Sequence, residues 1–110
     1  MIGVKDIVYE KNNKRLVINI GKESSILFDE NFKTINNEII FKYLESLFRI
    51  IDEWQKEYID ISIIDGDIWK LEITYIDGSK KEYRGRASYP TNFEAFERLN
   101  QKLIDEVQNG

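Results

Sequence analysis

The sequence predicts one α+β domain over residues 1–110, with a mainly antiparallel sheet of about five strands and two helices packed on one face. The expected order is β-β-β-α-β-β-α. Two observations lead to the fold class. Runs of alternating apolar residues are joined by tight-turn residues, as in antiparallel hairpins, and two longer segments repeat apolar residues at helical spacing. A single proline and six glycines leave no linker, which predicts one domain.

The first hairpin is predicted around Asn12-Asn13, which separates two β-rich runs. Asparagine tolerates the left-handed backbone conformation that a tight two-residue turn requires. With such a turn, the apolar residues of the two runs face each other in two pairs, Ile7 with Ile18 and Tyr9 with Leu16. The apolar pattern and the turn chemistry therefore predict the same register.

The segment after this hairpin is predicted to contain a third short strand, over residues 24–28. Residues 29–35 are mostly polar, and we expect a loop that Phe32 and Ile35 anchor to the core.

The first helix is predicted to begin after Asn36-Asn37, which offers a cap, with Glu38 in the first turn. Apolar residues then recur at spacings of three and four over about five turns. This stripe consists of Ile40, Leu44, Leu47, Ile51, Trp54 and Tyr58. Phe41, Phe48 and Ile50 widen it. A wide stripe usually reflects core packing, and it leaves open a partner contact beyond the sheet.

The central hairpin is predicted around Asp77-Gly78, after a strand in which Trp69, Leu71, Ile73 and Tyr75 alternate with polar residues. A two-residue loop would bury charged side chains against the core, which is costly. A three-residue loop, with Gly78 at positive φ, instead adds Tyr83, Gly85 and Ala87 to the apolar face. We therefore predict the three-residue loop. Isoleucines at 59, 61 and 63 predict a further short edge strand over 59–64.

The last helix is predicted to begin after Pro90, with Thr91 and Glu94 forming a capping box. Its apolar face would contain Phe93, Phe96, Leu99, Leu103, Ile104 and Val107.

About half of the chain, from Trp54 to Phe93, resembles a loose group of small, uncharacterised bacterial domains, mostly from low-GC Gram-positive species or their phages. The shared pattern is W-x3-Y, then DG-x-x-W-x-L-x-I, a DG turn, a glycine and Y-P-x-N-F. Here it includes Asp65-Gly66, Trp69, Gly85 and Tyr89-Pro90. The resemblance supports the fold and implies no catalytic residue.

Composition excludes several kinds of chemistry. The chain has no cysteine and no histidine, which removes disulfides, thiolate metal sites and the commonest general base. A net charge of −4 disfavours nonspecific binding to nucleic acid. The sequence contains no known enzyme motif, signal peptide or membrane span. We therefore expect a cytoplasmic, non-enzymatic protein without a cofactor.

Four acidic residues, Glu57, Asp60, Asp65 and Asp67, could hold a hard cation. They lack the spacing of a calcium loop, and Asp65-Gly66-Asp67 is ordinary turn chemistry. The sequence therefore predicts no metal site. Trp54 and Trp69 could line a pocket, but both occupy predicted apolar faces and are expected to pack in the core.

The most suggestive polar residues are basic ones on the second strand of the central hairpin, next to a strand-to-helix corner. Arginine binds phosphates and carboxylates through two parallel hydrogen bonds, and a helix N-terminus favours anions. The alternative is a solvated strand face whose charges pair across the hairpin with Glu72 and Glu82. The candidate ligand- or partner-binding residues are Lys80, Arg84, Arg86, Tyr89 and Asn92.

These features predict a binding protein, for instance an inhibitor or immunity-type protein of bacterial or phage origin, with a protein partner or a second copy of itself. The alternative is a protein that binds or sequesters a small nucleotide-type anion.

Overall fold

The computed structural model describes residues 3–109. It shows an α+β fold in which a seven-stranded, mostly antiparallel sheet is accompanied by two helices, in the order β×4-α-β×3-α. The predicted class is confirmed, and the predicted number of strands was too low. The elements are β1 (Val4–Lys11), β2 (Lys14–Asn19), β3 (Ser24–Phe28), β4 (Asn31–Ile35), α1 (Asn37–Ile51), β5 (Glu57–Ile59), β6 (Ile68–Tyr75), β7 (Lys80–Arg86) and α2 (Phe93–Asn109).

The strand order is β4-β3-β2-β1-β6-β7-β5. The first four strands form an antiparallel meander, and after α1 the chain reaches the opposite edge of the sheet as β5. β6 then pairs with β1 in the middle, and β7 fills the gap between β6 and β5. Because β5 runs parallel to β7, the sheet is mixed.

Both hairpins adopt the predicted registers. Ile7 lies opposite Ile18 and Tyr9 opposite Leu16, around a two-residue turn in which Asn12 has φ 56°. In the β6–β7 hairpin, Trp69 pairs with Gly85 and Leu71 with Tyr83. The three-residue loop is closed by a 2.8 Å bond from Tyr75 N to Ser79 O, and Gly78 has φ 89°.

The predicted loop over 29–35 is wrong, because residues 31–35 form β4. A tight turn joins it to β3, with Asp29 and Glu30 at φ 46° and 67°. Ile35 is buried as expected, whereas Phe32 is 63% exposed on the opposite face of the sheet. Backbone pairing with β3, rather than burial of apolar side chains, forms this strand.

The first helix ends at Ile51, although apolar spacing predicted its continuation to Tyr58. Asn92 explains this end. Its Nδ2 donates to the backbone O of Ile50 at 2.7 Å, and its Oδ1 accepts from Trp54 Nε1 at 2.6 Å. The first bond satisfies a carbonyl at the helix C-terminus, and the second holds Trp54 beyond it. The predicted N-cap is confirmed, since Asn36 Oδ1 accepts from Glu38 N at 2.7 Å.

Two other boundaries differ from the predictions. The edge strand β5 covers residues 57–59 rather than 59–64, because β7 offers partners only from Arg84 to Arg86. α2 begins at Phe93, and the backbone O of Asn92, rather than that of Thr91, accepts bonds from Ala95 N and Phe96 N.

The core lies on one face of the sheet, where alternate strand residues are buried together with one side of each helix. Tyr43 of α1 donates to Asn100 Oδ1 of α2 at 2.6 Å inside this core. Beside the C-terminal end of α1, six rings form a cluster that we call the aromatic corner. Its members are Trp54, Trp69, Tyr83, Tyr89, Phe93 and Phe96.

The aromatic corner depends on Gly85. A Cβ at this position would lie 2.1 Å from Trp69 Nε1 and 2.6 Å from the backbone O of Ser88. The indole N–H donates to that same carbonyl at 3.0 Å. Trp69 is 1% exposed and Trp54 9%, so the predicted core role of both tryptophans is confirmed.

Candidate functional site: an exposed isoleucine surface

The predicted basic residues lie on the uncovered face of the sheet, and two of them are neutralised by neighbours. Lys80 Nζ contacts Glu72 Oε1 at 3.2 Å, and Glu72 also binds Lys70 at 3.1 Å. Arg84 binds Glu57 on β5, with Nε at 3.2 Å from Oε1. Hydrogen bonds from Lys70 and Lys80 lower the pKa of the Glu72 carboxyl. This part of β7 is therefore a row of paired charges.

Tyr89 and Asn92 lie on the other side of the sheet, in or beside the aromatic corner. The Tyr89 hydroxyl donates to Asp67 Oδ2, and the ring stacks on Trp69. Burial, followed by the bond to Asp67, raises the pKa of Tyr89 to about 12. Asn92 uses both ends of its amide to join α1, Trp54 and α2. The structure therefore does not bring the five predicted residues together in one site.

Arg86 differs from the other predicted residues. In the sheet register it lies between Ile59 of β5 and Ile68 of β6. Its Nη2 reaches the backbone O of Ile64 at 3.4 Å. Within residues 3–109 it takes part in no salt bridge. Arg86 is thus a cation without a paired carboxylate, flanked in the sheet by two isoleucines.

Five exposed isoleucines belong to β5, to the loop of residues 60–67 and to the start of β6, the segments that adjoin Arg86. We call Arg86 and these five residues the isoleucine surface. The exposed fractions are 51% for Ile59, 93% for Ile61, 43% for Ile63, 83% for Ile64 and 60% for Ile68. Single exposed apolar residues are normal, whereas a contiguous group marks an interaction site.

The loop that presents these isoleucines is held by hydrogen bonds at both ends. At its start, Asp60 N donates to Arg86 O at 3.0 Å, and the Asp60 carboxylate accepts from Ser62 N at 3.0 Å. At its end, Ala87 N donates to Asp67 O at 2.8 Å. The isoleucines are therefore presented on an anchored backbone, which lowers the entropy cost of binding.

The Asp67 side chain joins the end of this loop to two distant elements. It accepts from Tyr89 and, at 3.1 Å, from Asn12 Nδ2 in the β1–β2 turn. These bonds, that of Tyr89 first, lower the pKa of Asp67. Bonds from Ser62 likewise lower the pKa of Asp60. Both carboxylates thus bind turn and core groups of the protein itself.

In the described part of the chain, residues 3–109, no group of three or more acidic side chains is placed to hold a metal ion. Neither α1 nor α2 is long and apolar enough to cross a membrane.

The sequence contained a signal for the isoleucine surface. Alternation at 59, 61 and 63 predicts a short edge strand, yet only Ile59 is in a strand and none of these three isoleucines is buried. A run of isoleucines beside turn residues also fits an exposed loop, and only the tertiary position of β7 separates the two structures.

Comparison with protein-family models, with curated proteins and with solved structures gave no match.

Proposed function

We propose that this protein is non-enzymatic and acts by binding another protein through the isoleucine surface. The observation that supports the proposal is the group of five exposed isoleucines around Arg86, on a loop anchored at both ends. Full burial of one isoleucine side chain contributes about 1.5–3 kcal/mol, so a few of them are sufficient for specific binding.

The expected partner has apolar pockets or side chains around a carboxylate. Arg86 is the only cation of the isoleucine surface, and its guanidinium can bind a carboxylate through two parallel hydrogen bonds. Arginine surrounded by apolar contacts is a common binding hot spot, because the surrounding side chains exclude water from the ion pair.

A different protein is a better partner for this surface than a second copy. In a symmetric dimer centred on the isoleucine surface, the two Arg86 side chains would approach each other across the two-fold axis. Repulsion between two desolvated cations would oppose that arrangement. An inhibitor or immunity-type protein, as the sequence suggested, is one role that fits such a binding surface.

Binding of a small anion by Lys80, Arg84, Arg86, Tyr89 and Asn92 has less support. Four of these five residues use their polar groups to bind other residues of the chain. An anion would have to displace at least one of these bonds.

The test is capture of the partner with a photo-crosslinking amino acid at position 63, which is also exposed on this surface, in cells of the native host. Ile61→Asp and Ile64→Asp should each reduce the yield of one defined crosslinked protein by at least about tenfold. The matched control is Phe32→Asp, which changes another exposed apolar residue, on the opposite edge of the sheet. It should leave the yield unchanged.

Two outcomes of the same experiments would contradict the proposal. Equal capture by Ile61→Asp and the native protein would exclude the isoleucine surface. If the purified native protein forms a dimer and Ile61→Asp abolishes that dimer, the partner at this surface is a second copy of the chain rather than a different protein.

A further inference from the structure

A wide apolar groove of about 960 Å³ lies on the helix side of the protein, at the end of the β6–β7 hairpin. Phe41, Leu44 and Phe48 of α1 line one wall, and Tyr75 and Ile76 line the wall opposite. We call this feature the α1 groove. It is separate from the isoleucine surface and from the aromatic corner.

Leu44, Phe48 and Tyr75 are partly buried against the core, whereas one residue of each wall is more exposed than core packing would leave it. Phe41 is 57% exposed and Ile76 is 72% exposed. The core face of α1 is instead formed by other positions: Ile40, Tyr43, Leu47 and Ile51. Phe41, Leu44 and Phe48 therefore form a second apolar stripe, about 100° around the helix from the first.

The length of the α1 wall suits a helix. Phe41 and Phe48 are separated by seven residues, which corresponds to roughly 10 Å along the axis of α1. A bound helix that lies along α1 presents anchors at positions i, i+3 or i+4, and i+7 over the same length. Walls as exposed as Phe41 and Ile76 favour a macromolecular partner over a small enclosed molecule.

The charges around the groove favour an acidic occupant. Lys81 lies on the hairpin wall, and within residues 3–109 it takes part in no salt bridge. The neighbouring Lys80 is bound to Glu72 and adds little free charge. The one carboxylate of the lining, that of Glu45, is bound by Arg49 at 2.8 Å. The groove is thus locally positive in a chain whose net charge is −4.

We propose that the α1 groove binds an amphipathic helix of another protein, with acidic residues beside its apolar stripe. This site goes beyond the function proposed above. Ile68 belongs to the isoleucine surface and Tyr75 to the groove, at opposite ends of β6. Seven residues of strand separate them by about 23 Å, so two partners could be bound together and the protein would bridge them.

The test is selection from a displayed library of random peptides, about 16 residues long, against the full-length protein. We expect enriched peptides with apolar residues at helical spacing and an excess of acidic residues. Phe41→Asp and Ile76→Asp, on opposite walls, should each weaken their binding at least tenfold. Lys81→Glu should weaken the binding of acidic peptides and should not weaken the binding of versions in which lysine replaces the acidic residues. Phe32→Asp, which changes an exposed apolar residue outside both proposed sites, is the matched control and should leave peptide affinity unchanged.

Several results would overturn the proposal. The enriched peptides could bind Phe41→Asp and Ile76→Asp as tightly as they bind the native protein. They could be basic or lack apolar residues at helical spacing. The selection could also enrich no peptide at all. If no selective peptide is found and the protein instead binds dodecanoate saturably, in a way that Phe41→Asp abolishes, the groove is a site for fatty carboxylates. Peptides that lose affinity for Ile61→Asp and keep it for Phe41→Asp bind the isoleucine surface, so failure of the groove is distinguishable from failure of that surface.

Discussion

The aromatic corner and the isoleucine surface both consist of large apolar side chains, yet the fold treats them in opposite ways. In the corner, Trp54 and Trp69 are enclosed, and each indole N–H has an acceptor. On the isoleucine surface, five side chains project from an anchored backbone and no element of the chain covers them within residues 3–109. The corner therefore stabilises the fold, while the surface contributes little to it.

This comparison separates apolar residues needed for folding from apolar residues available for binding. Enclosure and complete hydrogen bonding identify the first kind. Exposure on an anchored loop identifies the second. Mutations in the aromatic corner should therefore reduce stability, and mutations in the isoleucine surface should reduce binding with little effect on stability. The following predictions test this difference.

The largest effect is expected from Gly85→Ala. The added Cβ would overlap the Trp69 indole and the backbone O of Ser88, so the corner must open. We expect a loss of about 3 kcal/mol in the free energy of unfolding, measured with urea. Gly21→Ala is the control, because its nearest atom would be 3.9 Å away. A Gly85→Ala protein as stable as the native one would contradict the tight packing of this corner.

Asn92→Ala should have the next largest effect. The substitution leaves the Trp54 N–H and the Ile50 carbonyl without partners, which should cost about 2 kcal/mol. Asn92→Asp retains the acceptor for Trp54 but places a carboxylate oxygen against the Ile50 carbonyl at the helix C-terminus, so it should also destabilise the protein. Urea unfolding measures both. Native-like stability of Asn92→Ala would mean that its amide is free to bind a ligand, as the sequence suggested.

The Tyr89–Asp67 bond at the border of the two regions should be visible in a pH titration. The folded pKa of Tyr89, about 12, exceeds the ordinary value of 10.0, so stability is fully present below pH 10 and falls as the pH rises towards 12. Asp67→Ala should lower the Tyr89 pKa, though not fully to 10, because burial is the larger cause. NMR of the Tyr89 ring carbons measures it. Asp65→Ala is the control and should cause no change.

Asp67 has the opposite linkage. Its folded pKa is lowered, so its contribution is present above pH 3.8 and is lost as the pH falls through the folded pKa. If Asp67→Ala left the Tyr89 titration unchanged, the hydrogen bond would not form in solution.

The smallest effect on stability is expected from Ile61→Asp. The side chain is 93% exposed, so the free energy of unfolding should change by no more than about 0.5 kcal/mol. Partner capture should nevertheless fall by the factor given above. A large loss of stability would show that the isoleucine surface belongs to the folding core, and the contrast between the two regions would disappear.

Local patterns predicted the parts of the fold in which turn chemistry and alternation agree. Asn12 and Gly78 require special backbone conformations, and in both hairpins the strand residues select the same register. β4 had no such signal, because Ile35 is its only buried residue. Its existence depends on pairing with β3, which a sequence pattern does not reveal.

The end of α1 and the candidate site were harder to predict for another reason. Trp54 and Tyr58 continue the helical spacing, but Asn92, 38 residues beyond Trp54, binds the indole and the end of the helix. Likewise, the exposure of Ile61 and Ile64 depends on where β7 ends. Arg86 could be proposed from its residue type, whereas its separation from Tyr89 and Asn92 required the sheet.

The central position of β1 determines the order in which this protein can fold on the ribosome. β1 pairs with β2 on one side and with β6 on the other, so its second side stays open until residues 68–75 are made. Translation of the roughly 60 intervening residues takes about 3–12 s at 5–20 residues per second. During that interval the nascent meander has an exposed edge at β1, where strands of other chains can add. Slow translation between β2 and β6 would therefore promote misassembly, and chaperones that protect this edge would increase the yield.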